Sequence, residues 1–312
     1  MSGYSSYSRQ LVSGPGFLIL SLCLSVCLWA CALYMTDGFS LGTLAGWCVY
    51  GLCAYFLFAI NNSFSLFSLG KTTQSGLYML LISLCPGIYA IGSPHFGALL
   101  SVLMLFFLFR SYDRSDTENH LFWIFLCSAI NGIISPRQLL LLPVLLIGAW
   151  AFNEVTLKGI LSILIGFFLP FWFLEAYGAL KGDWLMPLGI LEEAFRFQPV
   201  EWMPKTGSIV LLSLCLMLLL SYLTFHVRCN MGNKQKRYFV NFLVLFSTWT
   251  LLLMYLQSDT LNELYPSHCL SMAFLYGFCL QTLPGKQSNR SLVLLMTVLF
   301  LSYALILWTA RA

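Results

Sequence analysis

Apolar runs and short polar breaks alternate along the whole chain. The runs cover 17–35, 41–60, 75–92, 94–111, 120–135, 138–152, 159–177, 208–227, 239–257, 266–283 and 291–309. A hydrocarbon core of roughly 30 Å takes about 20 helical residues to cross, and most of these runs are near that length. The pattern predicts an all-α fold: a polytopic transmembrane helical bundle of about eleven spans, forming a single integral membrane domain over 1–312. Runs 120–135 and 138–152 are short and joined only by Pro136-Arg137. They predict either two tilted helices, with the mismatch absorbed by tilt and flanking residues, or a re-entrant pair.

The longest polar segment is 178–207. Within it Leu188, Ile190, Leu191 and Phe195 share one side at helical spacing, while Glu192, Glu193 and Arg196 turn away. This predicts an amphipathic helix lying on a membrane surface, bounded by Pro199 and Pro204. At the N-terminus residues 1–16 are polar. Ala30-Cys31-Ala32 offers a small-residue site of the kind that follows a signal peptide. The apolar run continues past it to Met35, however, and Trp29 is bulky for such a site, so an uncleaved first helix is expected.

Composition agrees with the pattern. Apolar residues make up 59% of the chain and charged residues 9%, and the mean hydropathy is +0.82. Soluble domains carry about 25% charged residues, so the solvent for most of this surface must be lipid. The charges are sorted by segment. Of 16 Lys+Arg, 11 fall on the odd-numbered polar segments, counted from the N-terminus, and 5 on the even ones. Of 12 Asp+Glu, 8 fall on the even ones. Basic loops are retained on the cytoplasmic side, so the N-terminus is expected inside and the C-terminus outside. A re-entrant pair at 120–152 would leave the downstream parity unchanged. The net charge of +4 is spread over short loops, and nucleic acid is not an expected partner; membrane lipids are.

Motif chemistry is sparse. Cys23, Cys27 and Cys31 fall on one helix face, which reads as a small-residue packing surface more readily than as a metal or redox ladder needing thiolates at lipid depth. Gly42-Thr43-Leu44-Ala45-Gly46 reads the same way. The four histidines, His95, His120, His226 and His268, fall near run ends, and the chain has no His-x-x-x-His or Cys-x-x-Cys. Nucleotide-loop and serine-hydrolase patterns are missing too, so no metal and no cofactor is expected. No acid or base falls centrally in a run, which weighs against an ion-coupled carrier. Chemistry could gather on the even-numbered, outer side, which holds Asp37, Arg137, Glu175, Asp183, Glu192, Glu193, Glu201, Asp259 and Glu263. A carboxylate there can serve as general base toward a hydroxyl, and a guanidinium can hold a phosphate. The plain alternative is a solvated acidic rim that helps fix topology.

Two resemblances follow. Phe109-Arg110-Ser111-Tyr112, Asn131-Gly132-Ile133-Ile134-Ser135-Pro136, Leu142-Pro143, Gly166-Phe167-Phe168-Leu169-Pro170-Phe171-Trp172 and the Phe195-to-Pro199 segment resemble a family of uncharacterised multi-pass proteins of bacterial inner membranes. This implies an envelope protein of the bacterial cytoplasmic membrane. The order of Asp37, Pro136-Arg137 and the 178–207 loop is also similar, in layout, to polytopic glycosyltransferases of the GT-C type that use polyprenyl-phosphate sugars. The chain departs from these in its first outer loop, which is only Thr36-Asp37-Gly38-Phe39-Ser40.

Together these suggest lipid-linked glycosyl transfer, or another envelope-glycan role, at an outer-face site. Asp37 and Glu175 would be the catalytic carboxylates. Arg137, with Glu192, Glu193 and Arg196, would bind substrate, and a polyprenyl-phosphate-linked molecule is the implied partner. Two other classes compete: a non-catalytic assembly protein that docks partners through small-residue faces and the 178–207 loop, and a carrier of a lipophilic solute.

Overall fold

The structure, a computed structural model, describes residues 15–35, 40–64, 72–112, 116–152, 156–182, 184–196, 212–219, 221–222, 234–257, 260–282 and 285–311. All regular structure among them is helical. In chain order the helices are α1 Pro15–Met35, α2 Leu41–Phe64, α3 Thr73–Ile82, α4 Ser93–Ser111, α5 Thr117–Ile134 and α6 Leu142–Phe152. Then follow α7 Leu157–Lys181, α8 Met186–Phe195, α9 Lys234–Leu256, α10 Leu261–Thr282 and α11 Gly285–Arg311. Residues 212–219 are helical as well. Tight 3-10 turns occupy Pro86–Ile88 and Pro136–Leu141.

Five of these helices, α1, α2, α4, α7 and α9, are long and apolar enough to cross a membrane. Their boundaries follow local chemistry. The N-cap Thr156 accepts a hydrogen bond from the Gly159 N–H at 3.1 Å, and Gly182, at φ 81°, closes α7 in the left-handed conformation that glycine adopts without strain. Exposed apolar surface is extensive on α7, where Trp172 and Phe173 are 72% and 71% exposed.

The eleven apolar runs do not become eleven long helices. Run 75–92 is broken: α3 has only 10 residues, and the chain turns through Pro86–Ile88 before α4 begins. Run 138–152 starts as a 3-10 turn and continues as the 11-residue α6. Proline is the physical cause at both breaks, because Pro86 and Pro136 lack the N–H that would continue a helical ladder. Backbone released in this way is tolerated at membrane depth only where protein or water satisfies it. Here tyrosines do so. The Tyr265 hydroxyl donates to the Leu81 carbonyl at 2.5 Å, Tyr89 to Ser83 at 2.7 Å, and Tyr50 to Ile88 at 3.5 Å.

Every residue of α3 is buried, as is every residue of α10 from Leu264 to Leu280. α10 packs against α3, α4 and α9, and α3 packs against α1 and α2. A helix enclosed on all sides needs no amphipathic stripe. Close approaches elsewhere rest on glycine. A Cβ on Gly166 of α7 would stand 2.5 Å from the Phe122 carbonyl oxygen of α5, so the glycine lets these two helices approach backbone to backbone.

Candidate functional site

The two interrupted segments meet the same structural element, the first turn of α10. Asn262 and Glu263 are neighbours there, and each reaches a different break. The Cys85 thiol donates to Asn262 Oδ1 at 3.6 Å, and the Asn262 side chain lies against Gly87. The Ser135 hydroxyl donates to Glu263 Oε2 at 2.5 Å, and Gln138 Nε2 donates to the Glu263 carbonyl at 2.6 Å. Glu263 is thus held twice by the Pro136 turn, once through its side chain and once through its backbone. Its carboxylate also falls in the first helical turn, where the positive end of the helix dipole favours it.

Local sequence sets up this grip. Ser135 ends α5 in an extended conformation, and its N–H bonds back to the Asn131 carbonyl at 2.8 Å. Gln138 N–H then returns to the Ser135 carbonyl at 2.9 Å, so the Pro136 turn presents both side chains to α10. Asn131 adds a 3.5 Å contact from Nδ2 to Gln138 Oε1. Gly97 of α4 makes room for the amide pair, since a Cβ there would meet Gln138 Nε2 at 2.9 Å. Trp249 of α9 ties down the far end of the turn by donating Nε1–H to the Leu140 carbonyl at 2.7 Å. Asn131, Ser135 and Gln138 are buried, whereas Glu263 and Arg137 are half-buried and Asn262 is exposed. The buried Asn131, Ser135 and Gln138 thus adjoin two half-buried charged residues, Glu263 at the start of α10 and Arg137 on the turn.

The residues expected from the sequence are distributed as follows. Asp37 lies outside the described residues, as do Asp183, Glu201 and Asp259. Arg137 sits on the Pro136 turn, within the junction. Glu175 is on the exposed surface of α7, and Glu192, Glu193 and Arg196 are exposed on or just after α8. The amphipathic helix forms as expected; part of its apolar side docks on protein, while Leu188 and Phe195 stay exposed. Ala194 is buried with Ala129, Leu139 and Phe171, and Ile190 and Leu191 pack against them. α8 therefore covers the turn that carries Arg137. Leu174, the neighbour of Glu175, packs in the same cluster.

One expectation is corrected. His268 is not at a helix end; α10 begins at Leu261, and His268 stands about two turns inside it and fully buried. Its Nδ1 lies 2.8 Å from Thr250 Oγ1 and 3.4 Å from Ser247 Oγ, both on α9. Ser101 and Ser267 pair nearby in sequence, at 2.8 Å between α4 and α10. Among the described residues no group of three or more His, Cys, Asp or Glu is placed to hold a metal ion.

The sequence pattern puts Glu263 in an acidic rim and gives it no link to Ser135 or Gln138. The available signal was Asn131, Ser135 and Gln138 flanking a proline inside an otherwise apolar stretch. Fold and junction together define an all-helical protein with several helices of membrane-spanning length and a polar junction between interrupted segments at one end. No family model, curated protein or solved structure matches the chain.

Proposed function

We propose that the chain is a multi-pass protein of a bacterial cytoplasmic membrane that handles a lipid-borne substrate at its outer face, in lipid-linked glycosyl transfer or a related envelope-glycan step. On this reading the apolar runs make about eleven crossings, counting the interrupted ones, with the N-terminus inside and the C-terminus outside. The single observation that supports it most is the junction itself. Cys85, next to Pro86, and Ser135 and Gln138 of the Pro136 turn all reach Asn262 and Glu263, which brings a carboxylate to the turn that carries a guanidinium. Glu263 would act as base or orienter toward an acceptor hydroxyl, and Arg137 would contact a phosphate. Glu175, Glu192, Glu193 and Arg196 would line the approach from α7 and α8, and Asp37 would join them from the first loop.

A second reading is a non-catalytic assembly protein. The exposed face of α7, with Phe168, Trp172 and Phe173, favours it. Lipid and envelope-glycan profiling of a deletion strain separates the two. Transfer activity predicts accumulation of a polyprenyl-linked precursor, restored to normal by the unsubstituted gene and not by Glu263→Gln or Arg137→Ala. Full complementation by both variants would exclude the enzymatic reading.

A further inference from the structure

α8 presents three sides. Ala194 is buried with Ala129, Leu139 and Phe171, and Ile190 and Leu191 pack beside it. Leu188 and Phe195, about two turns apart and so in line along the helix, are 59% and 57% exposed. Helical spacing puts that line between the docked side and the exposed Glu192. Only Ala194 among the ten residues of α8 is buried, so contact with protein holds the helix through few side chains. Those contacts centre on Leu139, two residues after Arg137 on the Pro136 turn. Leu139 is buried, and a Cβ on Gly132 would collide with its Cδ2. The leucine therefore fills the space that this glycine leaves on α5, and Ala129 and Ala194 close that space from α5 and α8. Whatever seats α8 also holds the turn that carries Arg137.

The exposed line has a neighbour that indicates what covers it. α8 follows α7 after the left-handed Gly182, and α7 is one of the helices long and apolar enough to cross a membrane. Its last turn carries Lys181, whose Nζ lies 5.3 Å from the centroid of the Tyr177 ring, and the exposed Trp184 and Leu185 lead on into α8. Lysine, tyrosine and tryptophan at the end of such a helix mark the level where hydrocarbon meets headgroups. A helix starting at that level, with leucine and phenylalanine between a docked side and an acidic one, is built to lie in the same boundary. We infer that α8 is seated on two surfaces at once. Ala194 rests on the Leu139 cluster, and Leu188 and Phe195 lie in the headgroup–acyl boundary of a phospholipid bilayer. The bilayer thereby holds the Pro136 turn, acting through α8 and Leu139. The inference rests on the membrane-crossing reading of α7 and on no particular reaction at the junction.

The test is hydrogen–deuterium exchange, read by mass spectrometry, on the full-length protein in nanodiscs of phosphatidylethanolamine and phosphatidylglycerol. Leu188→Ser and Phe195→Ser remove exposed apolar groups that lie outside the Leu139 cluster. Each should raise exchange of 186–195 about tenfold or more, the lower end of what burying such a side chain contributes, and exchange of 136–141 should rise with it. Leu161→Ser, which removes a comparably exposed leucine from the first half of α7, should change neither segment. A photoreactive benzoylphenylalanine incorporated at position 195 should crosslink to phospholipid. Unchanged exchange of α8 in both serine variants would overturn the inference. So would a faster α8 over an unaltered 136–141 turn, or crosslinking to a second copy of the chain instead of lipid. A protein that never enters the nanodisc would overturn it together with the membrane reading. The experiment needs no substrate, so normal envelope glycans in the deletion strain would leave the inference standing.

Discussion

The contact between Ser135 and Glu263 gives the most direct test of the junction. Two segments 128 residues apart meet there at 2.5 Å. A hydrogen bond to a charged group contributes roughly 1.5–3 kcal/mol net. Glu263 is only half-buried, so solvent screening takes the expected coupling to the bottom of that range and below it, about 1–2 kcal/mol. The perturbation is a double-mutant cycle of Ser135→Ala, Glu263→Ala and the pair. Each single substitution removes the contact, while Gln138 keeps its bond to the Glu263 carbonyl in all four proteins, because that bond uses backbone. Thermal unfolding in one detergent supplies the readout. For a chain of this length 1 kcal/mol corresponds to about 2 °C, so the two single shifts should exceed the double shift, when summed, by about 2–4 °C. Strict additivity, with coupling below about 0.5 kcal/mol, would mean that the carboxylate does not hold the Pro136 turn, and the case for an organised site there would fall with it.

Other expectations follow from the same geometry. Gly166→Ala should destabilise by about 1–3 kcal/mol, because its Cβ would press on the Phe122 backbone; Gly189→Ala, in open space, should be near neutral in the same melting assay. Tyr265→Phe removes one of the two hydrogen bonds that the Leu81 carbonyl accepts and should cost about 0.5–1.5 kcal/mol, whereas Tyr55→Phe on an exposed surface should leave the melting temperature unchanged. Single cysteines placed in 228–238 should react with a membrane-impermeant maleimide only after cells are opened, and those in 178–207 in intact cells. The reverse pattern would invert the orientation read from the charges.

Much of the helical layout was legible in residue pattern. Run 159–177 matches α7, and the spacing of Leu188, Leu191 and Phe195 located α8 to within two residues at each end. Run 75–92 shows where pattern reading stops. Its Pro86-Gly87 was visible, but apolar length alone argued for one helix. What permits the break is the supply of tyrosine hydroxyls from Tyr50, Tyr89 and Tyr265, and only tertiary structure shows that these reach the freed carbonyls. α8 illustrates the same limit. Amphipathicity identified an apolar side but could not say that Ala194 and Leu191 would rest on Leu139 and Phe171 while Leu188 and Phe195 stay exposed. In the junction, Arg137 was picked from its place beside a proline. Its counterpart across the turn, Glu263, was hidden among eight similar acids, because the contact that distinguishes it spans more than a hundred residues and leaves no local trace. His268 was misjudged for a simpler reason: the helix that holds it starts five residues earlier than the apolar run.

The broken third segment also has a bearing on how the protein is made. The hydroxyl that satisfies Leu81 comes from Tyr265, 184 residues later in the chain, and α3 is enclosed partly by α10. During synthesis the first helices therefore emerge with an unfinished interior. A nascent chain released before residue 261 would lack the Tyr265 hydroxyl and leave uncovered the side of α3 that α10 packs against. Such a fragment is a natural substrate for membrane quality control, and the late arrival of α10 is the step that commits the early half of the protein to its mature arrangement.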